Sequence, residues 1–181
     1  MIQFAQDACS NYQHRTFLNI ELSEVTLVFA IDTTTAGEKC TKNYANICEK
    51  PIFTFVVNEN GKLDISNKPE IDKALNHIRD NKLSIVNIAG NGIYTFAKYG
   101  ITQQRINELV YNLLKYLIDN GCEIKKVRSG GQTGADESGL VAGDKLGIET
   151  ISFCPKGWRF RTANGKDISD EFLYKARFNI E

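Results

Sequence analysis

The chain has 181 residues, 42% of them hydrophobic and 24% charged, which is the size and balance of one ordinary globular domain. Lys plus Arg (22) equals Asp plus Glu (22), so the formal net charge is zero. That gives no support to a nucleic-acid polymer or an anionic membrane as partner, but leaves room for a small anionic ligand held by a few local groups. Five cysteines without a C-x-x-C pair argue against a disulfide framework, and no apolar run approaches the ~20 residues of a membrane span.

Taken in chain order, residues 1–7 carry neither a basic n-region nor an apolar h-region, so a soluble, cytoplasmic protein is expected. Residues 12–19 place Arg15 and Asn19 ahead of the first strand, as site residues or as ordinary surface. Residues 25–31 (VTLVFAI) are short, β-branched and continuously apolar, the pattern of a strand buried on both faces. The segment after it, residues 32–41, is small and hydroxylic and leads into a helix over about 37–49. Thr35, Gly37, Glu38, Lys39 and Thr41 there suit either an anion site at a helix start or a plainly capped helix.

Residues 51–57 read as a second strand, closed by the turn signal Asn58-Glu59-Asn60-Gly61. A helix over about 70–80 follows, then a third strand at 83–89. After it comes Ala89-Gly90-Asn91-Gly92, as readily a simple turn as a contact through Asn91. The clearest helix begins at the N-cap Thr102, carries Ile106, Leu109, Val110, Leu113, Leu114 and Leu117 at 3–4 spacing, and stops at Asn120-Gly121.

A fourth strand at 123–128 runs into Ser129-Gly130-Gly131-Gln132-Thr133-Gly134-Ala135-Asp136, which opens a helix ending near Gly147. Three glycines let the backbone approach a ligand and adopt positive φ, and a helix start favours an anion, so this loop is the leading phosphate-site candidate. It matches neither the Gly-Lys-Ser/Thr phosphate loop nor the G-x-G-x-x-G fingerprint. A fifth strand at 149–153 precedes Cys154-Pro155-Lys156-Gly157-Trp158-Arg159-Phe160-Arg161, where two or three cations, Lys156 and Arg159 foremost, offer themselves to a phosphate and Trp158 either stacks a ring or anchors the loop.

Strands alternating with helices predict an α/β fold, a Rossmann-like, mainly parallel sheet with helices on both faces in a single domain over 1–181. The loops after Ile31, Ala89 and Val127 should then gather at one edge of the sheet, where such folds bind ligands. His14 and His77 lie far apart with no metal-ligand pattern around either, so no metal and no cofactor are expected.

The stretch SGGQTGADESGL…LGI…CPKGWRF…GKDI resembles the molybdenum-cofactor-carrier-like branch of the SLOG (lysine-decarboxylase-like, Rossmannoid) superfamily. The earlier RTFLNIELSEVTLVF…AGEKCT…KP…LNH…VNIAGNG resembles elements of that family's second half, so the halves stand in reversed order, as in a circular permutant. Ala36-Gly37-Glu38 replaces the family's usual Gly-Gly-Thr. The resemblance implies a pocket for a nucleotide, an ADP-ribose-like molecule or a related phosphate compound, which the protein would sense, carry or sequester, for instance as a sponge for an immune nucleotide signal. Two alternatives stand beside it: an N-ribosyl or phosphoribosyl hydrolase using Glu38, Asp136 or Glu137, and a molybdenum-cofactor carrier. The oligomeric state, a homo-oligomer included, is left open.

Overall fold

The structure, a computed structural model, describes residues 1–178. Six strands form one parallel sheet: β1 (Ile2–Gln6), β2 (Val25–Ala30), β3 (Ile52–Val56), β4 (Ile85–Gly90), β5 (Lys126–Ser129) and β6 (Glu149–Cys154), in the order β1-β6-β5-β4-β2-β3. The helices are α1 (Tyr12–Glu21), α2 (Ala36–Ile47), α3 (Lys68–Asp80), α4 (Ile93–Ala97), α5 (Gln103–Asp119), α6 (Ala135–Lys145) and α7 (Glu171–Ala176). A two-stranded antiparallel hairpin, β7 (Arg159–Arg161) with β8 (Asp167–Ser169), stands apart from the main sheet. The Rossmann-like reading is therefore correct, with one strand more than the five predicted.

The two faces of the sheet differ in chemistry. Val25, Leu27 and Phe29 of β2, Val86 and Ile88 of β4 and Val127 of β5 alternate toward α3, α5 and α6, where they meet the apolar stripe of α5 in the main core. Thr102 caps α5 as expected, accepting the Arg105 N–H. The opposite face is smaller and more polar: Thr26, Val28, Ala30, Asn87 and Ala89 lie under α1 and α2. Gly139 and Gly143 bring α6 close to the sheet, since a Cβ at Gly139 would fall 2.4 Å from the Ile88 side chain.

Several elements were not foreseen, the helices α1 and α4 among them. The edge strand β1 pairs in parallel with β6, Phe4 opposite Ser152. The helix α7 and the β7–β8 hairpin build a second cluster around Tyr174, which packs with Phe4, Trp158, Phe160 and Phe178 at centroid distances of 5.4–6.2 Å. The residues 170–178 thus lie against β1, and Phe178 sits 5.6 Å from Phe4. Among the described residues no helix is long and apolar enough to cross a membrane.

Candidate functional site

The chain leaves β2 toward β3 in one direction and leaves β4 toward β5 in the other, so a crevice opens between the carboxyl ends of β2 and β4. A cavity of about 640 Å³ occupies it. Its walls come from the first turns of α1 and α2, the loop after β4, the loop after β5 and the strand β7.

Of the residues singled out in the sequence, Arg15, Thr35, Gly37, Glu38, Thr41, Asn91, Gln132, Thr133, Asp136 and Arg159 line this one cavity. Ser129, Gly130, Gly131, Gly134, Lys39, Lys156 and Gly157 do not. Lys39 points to solvent. Lys156 and Gly157 belong to a turn tied to the edge strand β1 and the loop after it: the Lys156 N–H donates to the Cys9 carbonyl at 2.9 Å and the Gly157 N–H to Gln6 Oε1 at 2.7 Å. Trp158 packs on Phe4 and Tyr174 with the Lys175 ammonium over its ring, so it anchors the loop and does not line the cavity.

The floor is a buried charged triad. Arg15 Nη1 donates to Asp136 Oδ2 at 2.7 Å, and both side chains are nearly inaccessible. Gly130 makes this pair feasible, because a Cβ there would fall 1.5 Å from Arg15 Nη1. Glu38, in the first turn of α2, is also buried and accepts from Asn91 Nδ2 at 3.0 Å. Burial, reinforced by the nearby Asp136 charge, pushes the Glu38 carboxyl up to about 7. Burial also raises Asp136, with Arg15 pulling the other way. Two carboxyl groups in one cavity thus have different partners, one a guanidinium and the other a neutral amide.

Asn91 holds the loops together. Its Oδ1 accepts from the Ile31 and Asp32 N–H groups, both at 2.9 Å, while Nδ2 donates to the Asp32 carbonyl and to Glu38. The amide has no hydrogen-bonding capacity left, so Asn91 positions the wall around it.

The glycine-rich loop differs from the expectation of a row of free donors at a helix start. Three of its N–H groups are engaged within the protein: Thr133 by the Gln132 side chain, Gly134 by Gln103 Oε1 at 2.6 Å and Ala135 by the Asn91 carbonyl at 3.0 Å. The Thr133 hydroxyl donates to the Arg161 carbonyl and that of Ser129 to the Ile88 carbonyl. The loop carries or meets its own acceptors, which sequence spacing could not reveal. Gly131 takes φ +66° but faces Tyr174 Oη, away from the cavity. By contrast, a Cβ at Gly37 would meet only Thr35 Oγ1, at 3.9 Å, leaving the start of α2 open toward the cavity.

At the rim, Asp167 binds both Arg159 and Arg161, and this pairing draws its carboxyl down to about 2. The Arg159 guanidinium lies 5.0 Å from the Tyr12 ring centre. Tyr12, Tyr94 and Arg161 line the cavity too. Of these, only Arg161 carried a sequence signal, as the second arginine after Trp158. The expectation that no metal-ligating groups surround either histidine fails at His14, where Asp7 and Cys9 gather.

No curated protein and no solved structure matches the chain. One family model does, over residues 3–114, which covers the first turns of α1 and α2 and the loop after β4 but stops before the glycine-rich loop. The order of motifs, the parallel sheet and this match agree: the chain belongs to the circularly permutated YpsA SLOG family.

Proposed function

We propose that the cavity binds a phosphorylated ribosyl compound, of nucleotide or ADP-ribose type, and that the protein senses, carries or sequesters it. Membership of a SLOG family is compatible with a nucleotide-like ligand. The observation that carries the reading is the pairing of a polar, carboxyl-bearing floor with open, electropositive elements at the mouth. Glu38 and Asp136 suit sugar hydroxyls, which donate to carboxyl oxygens. A phosphate fits the start of α2, where the Ala36 and Gly37 backbone is exposed and the helix dipole is positive. Arg159 and Arg161 line the same cavity, and Tyr12 and Tyr94 offer faces for a base. The volume lies in the usual range for small-molecule sites.

One observation favours a second reading, hydrolysis of an N-ribosyl bond. A carboxyl that holds its proton to about pH 7 beside an arginine-paired carboxyl is the arrangement of a general acid and a charge-stabilising partner. Glu38 would protonate the departing base and Asp136 would face the positive charge developing on the sugar. A molybdenum-cofactor carrier rests on the motif resemblance alone.

Calorimetry with ADP-ribose, nucleoside monophosphates and cyclic nucleotides tests the binding reading, with Gly37→Val as the variant. A Cβ at Gly37 meets only Thr35 Oγ1, at 3.9 Å, so the valine branches into the mouth and binding should fall at least tenfold with folding intact. Chromatography of the recovered ligand then separates the readings: intact ligand supports a carrier or sponge, while free base or ribose phosphate supports hydrolysis. Absence of binding by every phosphate compound refutes both.

A further inference from the structure

The loop after β1 and the first turn of α1 together assemble three different metal-ligating side chains. The donor atoms of Asp7, Cys9 and His14 all lie within 4.8 Å of one another. Asp7 is buried, Cys9 is half-buried, and His14 is exposed enough to admit solvent. Asp7 Oδ2 lies 2.6 Å from His14 Nδ1, and Asp7 Oδ1 accepts the Cys9 N–H at 3.1 Å.

The scaffold around these groups is fixed on both sides. The Asp7 N–H donates to the Cys154 carbonyl at 2.8 Å, and the Cys9 carbonyl accepts from the Lys156 N–H at 2.9 Å, so the loop is clamped to the segment after β6. His14 stands in the first turn of α1, where its N–H donates to the capping Asn11 Oδ1 at 2.9 Å. Side chains held by a strand end on one side and a helix start on the other form a preorganised set, as a metal site requires.

We propose that Asp7, Cys9 and His14 bind a divalent transition ion, with Zn²⁺ the best match. Thiolate, imidazole and carboxylate together are the borderline donor set that zinc takes, and hard cations such as Mg²⁺ or Ca²⁺ do not use a thiolate. Tetrahedral zinc holds neighbouring donors about 3.3–3.8 Å apart, given bond lengths of about 2.0–2.3 Å. With all donors within 4.8 Å of one another, the cluster reaches that spacing by side-chain adjustment, the 2.6 Å Asp7–His14 contact opening by about 0.7 Å. Cys9 loses its thiol proton to solvent on binding, and the fourth coordination position stays open to water or a ligand. Asn11, Tyr12 and Gln13, the residues just before His14, line the main cavity, so an ion here would also stiffen one wall of that site.

The test uses the full-length protein under reducing conditions, with Co²⁺ and Zn²⁺ as probes. Titration with Co²⁺ should give one equivalent of a tetrahedral species with a thiolate charge-transfer band, and Zn²⁺ should bleach it. Zn²⁺ should also slow alkylation of Cys9 by iodoacetamide, read by peptide mass spectrometry. Cys9→Ser should abolish the band, and His14→Gln should weaken Zn²⁺ binding by at least about tenfold. Both positions are at least partly exposed, so neither change should unfold the chain, and Cys40→Ser should leave the band intact. Absence of a one-equivalent complex, or a band that survives Cys9→Ser, overturns the proposal. Rapid alkylation of Cys9 that Zn²⁺ does not slow would assign the cluster to a histidine-activated thiol instead, and also overturns it.

Discussion

Gly131 illustrates how a residue that reads as a ligand contact can serve the fold. Replacing it with alanine puts a Cβ 1.5 Å from Tyr174 Oη and 2.7 Å from Ser152 Oγ. Tyr174 cannot swing aside, because it is fully buried and wedged among Phe4, Trp158, Phe160 and Phe178. Three costs combine. The left-handed backbone at φ +66° costs roughly 1 kcal/mol once a Cβ is present. Forcing the ring away overpacks the cluster, at about 1–3 kcal/mol. Breaking the 2.7 Å Ser152–Tyr174 hydrogen bond leaves a buried hydroxyl unpaired, at about 1–3 kcal/mol. The sum, about 3–5 kcal/mol after partial relaxation, is a large share of the roughly 5–15 kcal/mol that holds a domain together. Urea unfolding followed by fluorescence of Trp158, the single tryptophan, measures it beside the Tyr174 ring. The double variant Gly131→Ala/Tyr174→Phe removes the colliding hydroxyl and should show a favourable coupling of about 1–2 kcal/mol. A loss below about 1 kcal/mol for Gly131→Ala, or no coupling, refutes this account and returns Gly131 to the ligand.

Three further outcomes follow from the cavity floor and rim. The Glu38 carboxyl rises from the ordinary 4.5 to about 7 on folding, so the folded state holds the extra proton between those values. Its contribution to stability is full below pH 4.5 and is lost as pH rises through 7, by about 3 kcal/mol. Glu38→Gln should therefore match the parent near pH 4.5 and exceed it by about 2–3 kcal/mol at pH 8 in urea unfolding; equal stability at pH 8 contradicts the burial argument. Arg15→Met strands the buried Asp136 carboxylate and should cost about 3–5 kcal/mol at pH 7, with Arg15→Met/Asp136→Asn recovering much of it. Asp167→Ala releases Arg159 and Arg161 from their shared carboxylate, so affinity for a phosphorylated ligand should rise several-fold at low salt and lose the gain at high salt. Unchanged affinity would place the arginines outside the ligand's reach.

The framework was legible wherever local pattern and tertiary demand agreed. The stripe of α5 and the apolar run of β2 name their elements because each buries the residues its period exposes to the core. Strand β1 escaped notice because only Ile2 and Phe4 mark it and its hydrogen-bonding partner, β6, lies at the far end of the sequence. Helix α7 spans six residues, too few for a period to emerge, and owes its place to Tyr174.

At the site, the sequence located the loops and misread some of their occupants, for one physical reason. A polar glycine loop after a parallel strand must lie at the carboxyl edge, so its address follows from topology. Which side of that loop meets the cavity depends on groups brought in from elsewhere. Gly130 admits Arg15 and Gly131 admits Tyr174, and both partners arrive from other elements. The segment after β6 divides in the same way. Lys156 and Gly157 turn toward β1, Trp158 reverses the chain at φ +57°, and Arg159 then emerges on the cavity side with Asp167 opposite it. Two cations three residues apart therefore end in different environments, and the nearer cation is already paired. A phosphate at this rim must compete with Asp167 for the two arginines, whereas near the start of α2 the carboxyls are Glu38, which below pH 7 is neutral, and Asp32, whose Oδ1 is already engaged by the Thr34 N–H and hydroxyl. Acidification should for that reason strengthen ligand binding in the parent protein between pH 8 and 6, and Glu38→Gln should remove the dependence. Calorimetry at both pH values decides it: a pH trend that survives Glu38→Gln would place the charge opposing the phosphate on another group.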